Sequence, residues 1–231
     1  MRGDLRLGPL LGSGRTADVY ALDEPEDGTW VLRRYRDNDG YGDTPAEAAV
    51  MEHVRGHGYP VPRVQSTYKR TDLMMERLSG PTMLQALGDG LIGPRDAGAT
   101  LARLLRDLHA LPPRLSTEPT VRVLHLDLHP DNVMLTPNGP RVIDWANSQE
   151  GPPGLDWGMS AVILAQVAVG DDPLAEPAGA ILATLLDGNE RAVTDEGLAE
   201  ARRRRAANVT MTTREVEVLG DAEELIRGLL S

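Results

Sequence analysis

The sequence predicts an α+β chain of two lobes: a small one built on an antiparallel sheet with one helix, and a larger, mainly helical one. Three observations predict it. Short apolar runs bounded by glycine and polar turns fill residues 1–78, and helix-period apolar stripes dominate residues 79–231. Within the second stretch, a loop dense in hydrogen-bonding side chains, His125 to Asn132, sits between two β-type runs. A length of 231 residues allows one two-lobed unit with a substantial core, and 41% hydrophobic residues suit a globular chain.

The elements follow in order. Leu10 to Tyr20 reads as strand, turn, strand, with Gly12, Ser13, Gly14 and Arg15 at the turn. Trp30 to Tyr35 is a strand, so Val31 and Arg33 share one face while Leu32 and Arg34 share the other. The first long helix runs from Thr44 to about Gly56, where Glu47, Val50, Met51 and Val54 follow the i, i+3, i+4, i+7 pattern of an inward stripe. Thr44-x-x-Glu47 with Pro45 between also fits a capping box, in which Glu47 only closes the helix end. Gly58 to Val64 is a glycine- and proline-rich connection, and Leu73 to Gly80 is an apolar, β-type run that ends in a polar turn. Leu101, Leu104, Leu105 and Leu108 stripe a helix that starts near Pro94 and is stopped by Pro112-Pro113. Trp157 to Val169 reads as a buried helix, too short to cross a membrane, and further helices are expected near 173–187, 194–208 and 213–230.

Val123-Leu124-His125-Leu126-Asp127-Leu128-His129-Pro130-Asp131-Asn132-Val133, followed by Arg141-Val142-Ile143-Asp144-Trp145, carries the chemistry. Phosphoryl transfer asks a protein to position the acceptor and to neutralise charge on the transferring group, and Mg²⁺ prefers hard oxygen ligands. Asp144, ending an apolar pair before a large side chain, is the expected metal carboxylate, and Asn132 supplies a second oxygen. Asp127, in the same loop, is expected to orient an acceptor hydroxyl and take its proton, while His125 braces the loop.

His125-x-Asp127-x-x-x-x-Asn132 followed by Ile143-Asp144-Trp145 resembles the aminoglycoside phosphotransferase and choline kinase-like family, with Leu126 where that family usually has a small residue. The resemblance implies a protein-kinase-like fold, with residues 1–78 as the nucleotide-binding lobe and residues 79–231 as the catalytic and substrate-binding lobe. It implies ATP or GTP as co-substrate with Mg²⁺, and a hydroxyl of a small molecule as acceptor. Gly12, Ser13 and Gly14 would then let backbone N–H groups approach the phosphates, although such a turn is also an ordinary hairpin. Val31 would lie over the base and Arg33 over the phosphates, where a lysine is usual; the chain's one lysine is Lys69. Arg is not a neutral replacement, because its planar fork binds two partners at once. Glu47 is the expected ion-pair partner of Arg33. Gly58 to Val64 would lead to a further strand and Leu73 to Gly80 would be the last strand of the small lobe with a hinge at about 75–80, where Met75, Glu76 and Leu78 would meet the base; Asp156 would hydrogen-bond the catalytic loop, with His109 structural. The second expectation is a nucleotide-binding pseudokinase with a partner-binding role, motivated by the missing lysine.

Charge narrows the partners. Residues 1–78 carry 13 acidic and 11 basic side chains, and residues 79–231 carry 22 and 13. The acidic excess favours a cationic acceptor such as an amino sugar and disfavours nucleic acid, although acidity also serves solubility. Arg202 to Arg205 would spread around a helix and lack interleaved aromatics, so no nucleic-acid surface is expected. Met1-Arg2-Gly3-Asp4 leads into domain sequence without a secretory pattern, so a cytoplasmic protein is expected, and the absence of Cys excludes disulfides. Scarce Lys and Phe beside abundant Arg, Ala and Gly suggest a GC-rich bacterial genome. Nothing in the sequence sets an oligomeric state.

Overall fold

A computed structural model describes residues 6–14, 16–22, 29–36, 44–209 and 211–231, so Arg15 in the glycine turn and the opening residues 1–4 lie outside the described residues. The chain divides into two compact units, Met1–Gly80 with Met134–Ala146, and Pro81–Val133 with Asn147–Ser231. In chain order the elements begin with β1 (Leu7–Ser13), β2 (Ala17–Leu22), β3 (Trp30–Tyr35), α1 (Thr44–Gly56), β4 (Val64–Ser66) and β5 (Asp72–Glu76). They continue with α2 (Met83–Gly88), α3 (Pro94–His109), β6 (Arg122–Leu124), β7 (Val133–Thr136), β8 (Gly139–Val142) and β9 (Gln149–Gly151). The helices α4 (Pro153–Ala168), α5 (Ala175–Leu186), α6 (Asp195–Ala207), α7 (Thr213–Glu217) and α8 (Leu219–Leu230) complete the chain.

In the first unit the five strands form one sheet in the order β1-β2-β3-β5-β4, with antiparallel neighbours throughout. β3 is central, and its alternation divides the roles of its residues. Leu32 packs with Leu22 and Met74, covered by Leu7 and Trp30. Val31, Arg33 and Tyr35 occupy the alternate positions and are buried as well, whereas Arg34 closes onto Asp72 through Nε at 2.8 Å and Nη2 at 2.6 Å. The α1 helix packs on β4 and β5 through Ala48, Met51 and Val54, with Val50 half-buried. Gly80 closes this stretch at φ +127°, where a Cβ would collide with the carbonyl of Leu135, so only glycine fits.

The second unit is built around α4, which packs against α5, α6 and α8, while α3 packs on α5. The α3 stripe is fully enclosed: Leu101, Leu105 and Leu108 are 0% exposed, and each such burial stabilises by roughly 1.5–3 kcal/mol. α4 begins at Pro153, four residues before the expected start, because Pro at the first helical turn supplies a fixed φ without losing a needed hydrogen bond. The α4–α6 approach depends on missing side chains, since a Cβ on Gly197 would strike the carbonyl of Gly154. The helix expected over 213–230 is two helices that meet at Val218. Thr212 and Glu215 form a capping box that starts α7, which buries no residue, whereas α8 buries Leu219, Ala222 and Ile226 and is set by packing. The α2 helix and the antiparallel β6–β9 pair were not among the expected elements.

Candidate active site

β6 delivers the chain into the loop that holds Asp127 and Asn132. His125 is 0% exposed and its ring Nδ1 accepts from the Asp127 N–H at 3.2 Å, a brace inside the loop. Leu126 stands at φ +63°, the left-handed region, which for a leucine costs about 1–2 kcal/mol. The cost is offset by the buried carboxylate of Asp156, whose Oδ1 accepts from Leu126 N–H at 2.7 Å and whose Oδ2 accepts from His125 N–H at 2.9 Å. Burial alone would raise the pKa of Asp156, but its hydrogen bond and charge interaction with His109, joined by the charge interaction and backbone amide of His125, outweigh it and hold the carboxyl below its usual range.

Beyond Asp127 the chain makes a 3₁₀ turn, Pro130–Asn132, capped by His129, whose Nδ1 accepts from Asp131 N–H at 3.3 Å. The turn brings Asn132 back over Asp127: its Nδ2 donates to the Asp127 carbonyl at 2.8 Å and to carboxylate Oδ2 at 3.2 Å. His129 Nε2 lies 3.8 Å from Asp127 Oδ1 and 3.2 Å from Asn132 Nδ2. Burial depresses the pKa of His129, opposed by the carboxylates of Asp127 and Asp131. The Asp127 carboxylate is therefore held by the Asn132 amide and faced by the His129 imidazole.

In the first unit Arg33 divides its fork. Nη1 donates to Glu47 Oε1 at 2.9 Å, and Nη2 donates to Asp144 Oδ1 at 2.6 Å. Tyr35, two residues along β3, donates its hydroxyl to Glu47 Oε2 at 2.7 Å and lies under the guanidinium, 4.7 Å from centre to centre. Burial works to lower the pKa of Arg33, but the Asp144 and Glu47 carboxylates reverse this and keep it charged. Burial raises the pKa of Glu47 against the opposing pull of Arg33 and Tyr35. Glu47 thus does not close the helix end; Thr44 instead donates its hydroxyl to the Arg70 carbonyl at 2.8 Å. Asp144 is, among the described residues, the second non-glycine residue in the left-handed region, at φ +63°. Strained backbone at both Leu126 and Asp144 marks the two segments singled out by their chemistry.

The remaining predicted residues also fall in this unit. Val31 pairs across the sheet with Ala21 on one side and Met75 on the other, and both Val31 and Met75 are 8% exposed. Gly12 and Ser13 end β1 and Gly14 follows it, its N–H donating to the Ala17 carbonyl at 2.8 Å. Ser13 directs its hydroxyl to Asp18 Oδ1 at 2.7 Å, and Arg36 Nη2 ties together Ser13 Oγ, Gly14 O and Asp18. At the end of β5, where the hinge is expected, Glu76 N–H donates to the Arg63 carbonyl at 2.8 Å and Arg77 N–H to the Thr29 carbonyl at 2.7 Å, so both amides are engaged by protein. Leu78 is half-buried beyond them.

No cluster of three or more His, Asp or Glu side chains gathers to hold a metal among the described residues. The donor chemistry nevertheless suits a hard cation that shares its ligands with phosphate oxygens. Within the second unit Asn132 turns its nitrogen to Asp127 and leaves its carbonyl Oδ1, and within the first unit Asp144 gives Oδ1 to Arg33 and leaves Oδ2, each an oxygen of the kind such a cation takes. Sequence reasoning missed Tyr35 and His129 altogether. Tyr35 could have been found from its i+2 spacing to Arg33 on one strand face; His129 has no comparable signal beyond its place in the loop.

Comparison with known proteins decides the family. A model described as the phosphotransferase enzyme family matches residues 8–120 and 85–200. The chain belongs to this family. Members of the family are phosphotransferase enzymes, and the chain is accordingly a phosphotransferase. Among solved structures, the ethanolamine kinase of Plasmodium vivax is similar at a TM-score of 0.63 and 10% identity, covering 99% of this chain and 82% of that one. The streptomycin–ATP–APH(2'')-IIa ternary complex is similar at 0.57 and 15%, with coverage of 97% and 86%. The amicoumacin kinase hAmiN, in complex with AMP-PNP, Ca²⁺ and Ami, is similar at 0.55 and 13%, with coverage of 97% and 90%. At these identities the likeness establishes a protein-kinase-like fold. No curated protein sequence matches the chain.

Proposed function

We propose that this phosphotransferase moves the γ-phosphate of ATP or GTP to a hydroxyl of a small cationic acceptor, an amino alcohol or amino sugar. The observation that carries the reading is the Asp127–Asn132 loop, in which a half-buried carboxylate is pinned by an amide at 3.2 Å and held on a strained turn. Asp127 orients the acceptor hydroxyl and takes its proton as the oxygen bonds to phosphorus and the nucleoside diphosphate leaves. Asn132 Oδ1 and Asp144 Oδ2 are the atoms assigned to Mg²⁺, which when bound neutralises charge on the transferring group. Arg33, held charged, is assigned to the phosphates, Val31 and Met75 to the faces of the base, and Gly12 to Gly14 to backbone contact with phosphate. The engaged amides of Glu76 and Arg77 leave the Leu78 backbone as the hinge group for the base edge. The acidic excess of residues 79–231 supports a cationic acceptor.

The test is Mg²⁺-dependent transfer of labelled γ-phosphate across a panel of aminoglycosides, amino alcohols and uncharged polyols. Label on a cationic member is the expected result; label on uncharged members alone contradicts the acceptor class. The hold of Arg33 on Asp144 motivates a second reading, a nucleotide-binding pseudokinase with a partner-binding role. Tight Mg²⁺-nucleotide binding with no label transferred to any acceptor favours that reading.

A further inference from the structure

We propose that His53 and His57, at the C-terminal end of α1, form a binding site for one borderline divalent ion such as Zn²⁺, using none of the residues assigned to Mg²⁺. Two of the chain's five histidines stand here, four residues apart, the spacing that sets two side chains on one helix face one turn apart. Their ring centres are 4.6 Å apart and their planes are tilted by 53°. Two imidazoles that share one ion at metal–nitrogen distances of about 2.0–2.1 Å hold their centres about 4.5–5 Å apart. The pair thus stands at the separation that a shared ion requires.

Protein contacts fix this arrangement. His57 Nδ1 lies 2.9 Å from the His53 carbonyl oxygen. A carbonyl only accepts, so Nδ1 carries the proton, and the lone pair of the neutral ring lies on Nε2, the atom that turns to a metal. Histidine ligands are commonly held in this way, with the second ring nitrogen donating to a carbonyl that sets tautomer and ring direction. The backbone is pinned as well: His57 N–H donates to the Val54 carbonyl at 3.2 Å, Gly58 N–H to that of Arg55 at 2.9 Å and Tyr59 N–H to that of Val54 at 3.0 Å. Gly58 takes φ +86°, the left-handed closure of a helix end, and buried Tyr59 meets Trp145 edge to face at 5.8 Å. The backbone freedom that an ion would have to remove is therefore already lost.

The donor set chooses the ion. Imidazole nitrogen suits Zn²⁺, Ni²⁺ and Cu²⁺, whereas Mg²⁺ and Ca²⁺ take oxygen. No group of three or more His, Asp or Glu forms among the described residues, so water completes the shell. His57 is exposed and His53 half-buried, which lets an ion reach both rings from solvent, and the negative end of the α1 dipole favours its charge.

The experiment titrates the metal-free full chain with Zn²⁺ by calorimetry, in excess Mg²⁺ so that sites preferring hard cations are filled. Wild type is compared with His53→Ala and His57→Ala. Wild type binds one Zn²⁺ at the pair, and each variant binds it at least about tenfold more weakly, the loss that removal of even an outer-shell partner brings. The thermal midpoint of wild type rises with Zn²⁺, and that of the variants does not. Long-range ¹H–¹⁵N spectra of wild type read the rings directly and need no variant to fold: Zn²⁺ shifts His57 Nε2 and one ring nitrogen of His53, and leaves His57 Nδ1 protonated. Either variant binding Zn²⁺ as tightly as wild type means an adventitious ion only and overturns the proposal. Ring nitrogens of His53 and His57 that Zn²⁺ leaves unshifted overturn it equally.

Discussion

Arg33 stands where a lysine would present a single point of charge, and its fork divides that charge between Glu47 and Asp144. Lysine cannot satisfy both carboxylates with the same rigid geometry. Arg33→Lys is therefore expected to lower both the melting temperature and the phosphotransfer rate; a gain in rate would mean that arginine cripples the site. Arg33→Met leaves Glu47 buried without a cation and is expected to destabilise the chain by about 3–5 kcal/mol, measured by urea unfolding. Tyr35→Phe removes a hydrogen bond to a buried carboxylate, and the same assay should show a loss of about 1.5–3 kcal/mol. At this scale the sequence was partly legible. The spacing of Val31, Arg33 and Glu47 followed from strand and helix periods, which are local. That Arg33 also meets Asp144, 111 residues away, follows from chain folding that no local period encodes.

The elements show the same division between local and distant causes. The α3 leucine stripe and the glycine turn after β1 could be read directly, because 3.6-residue and two-residue periods are written in neighbouring positions. The break at Val218 could not, since neither Gly nor Pro stands at it, Gly220 falls inside α8, and the packing of α8 decides it. The strain at Leu126 had a faint signal, a large residue where a small one is usual, and the structure gives its physical reason in the Asp156 clamp. Because the pKa of Asp156 is lowered in the folded chain, its stabilisation is fully present above the ordinary Asp value of 3.8 and fades as pH falls through the folded value. Wild type should exceed Asp156→Asn in stability at neutral pH, and the gap should narrow below about pH 4; a gap independent of pH would contradict the clamp. Helix packing has its own test in Gly197. Gly197→Val places a side chain against the Gly154 carbonyl and should destabilise by about 1–3 kcal/mol in thermal unfolding, without changing Asp127 chemistry in the protein that remains folded.

For the molecule as a whole, the family is carried by a match reaching from residue 8 to residue 200, and the fold by neighbours of very low identity. The two-part pattern of sheet followed by helices was legible because composition and period change along the chain. Less legible was that residues 134–146, with Asp144, belong to the first compact unit although they follow the Asp127 loop in sequence. The central claim is that Asp127 serves the acceptor hydroxyl, and the most direct measurement is γ-phosphate transfer from Mg²⁺-nucleotide to an accepted compound by wild type and by Asp127→Ala. The account predicts transfer by wild type and a loss of about 10²–10⁴-fold in Asp127→Ala at retained nucleotide affinity. Transfer at an undiminished rate in Asp127→Ala would contradict it.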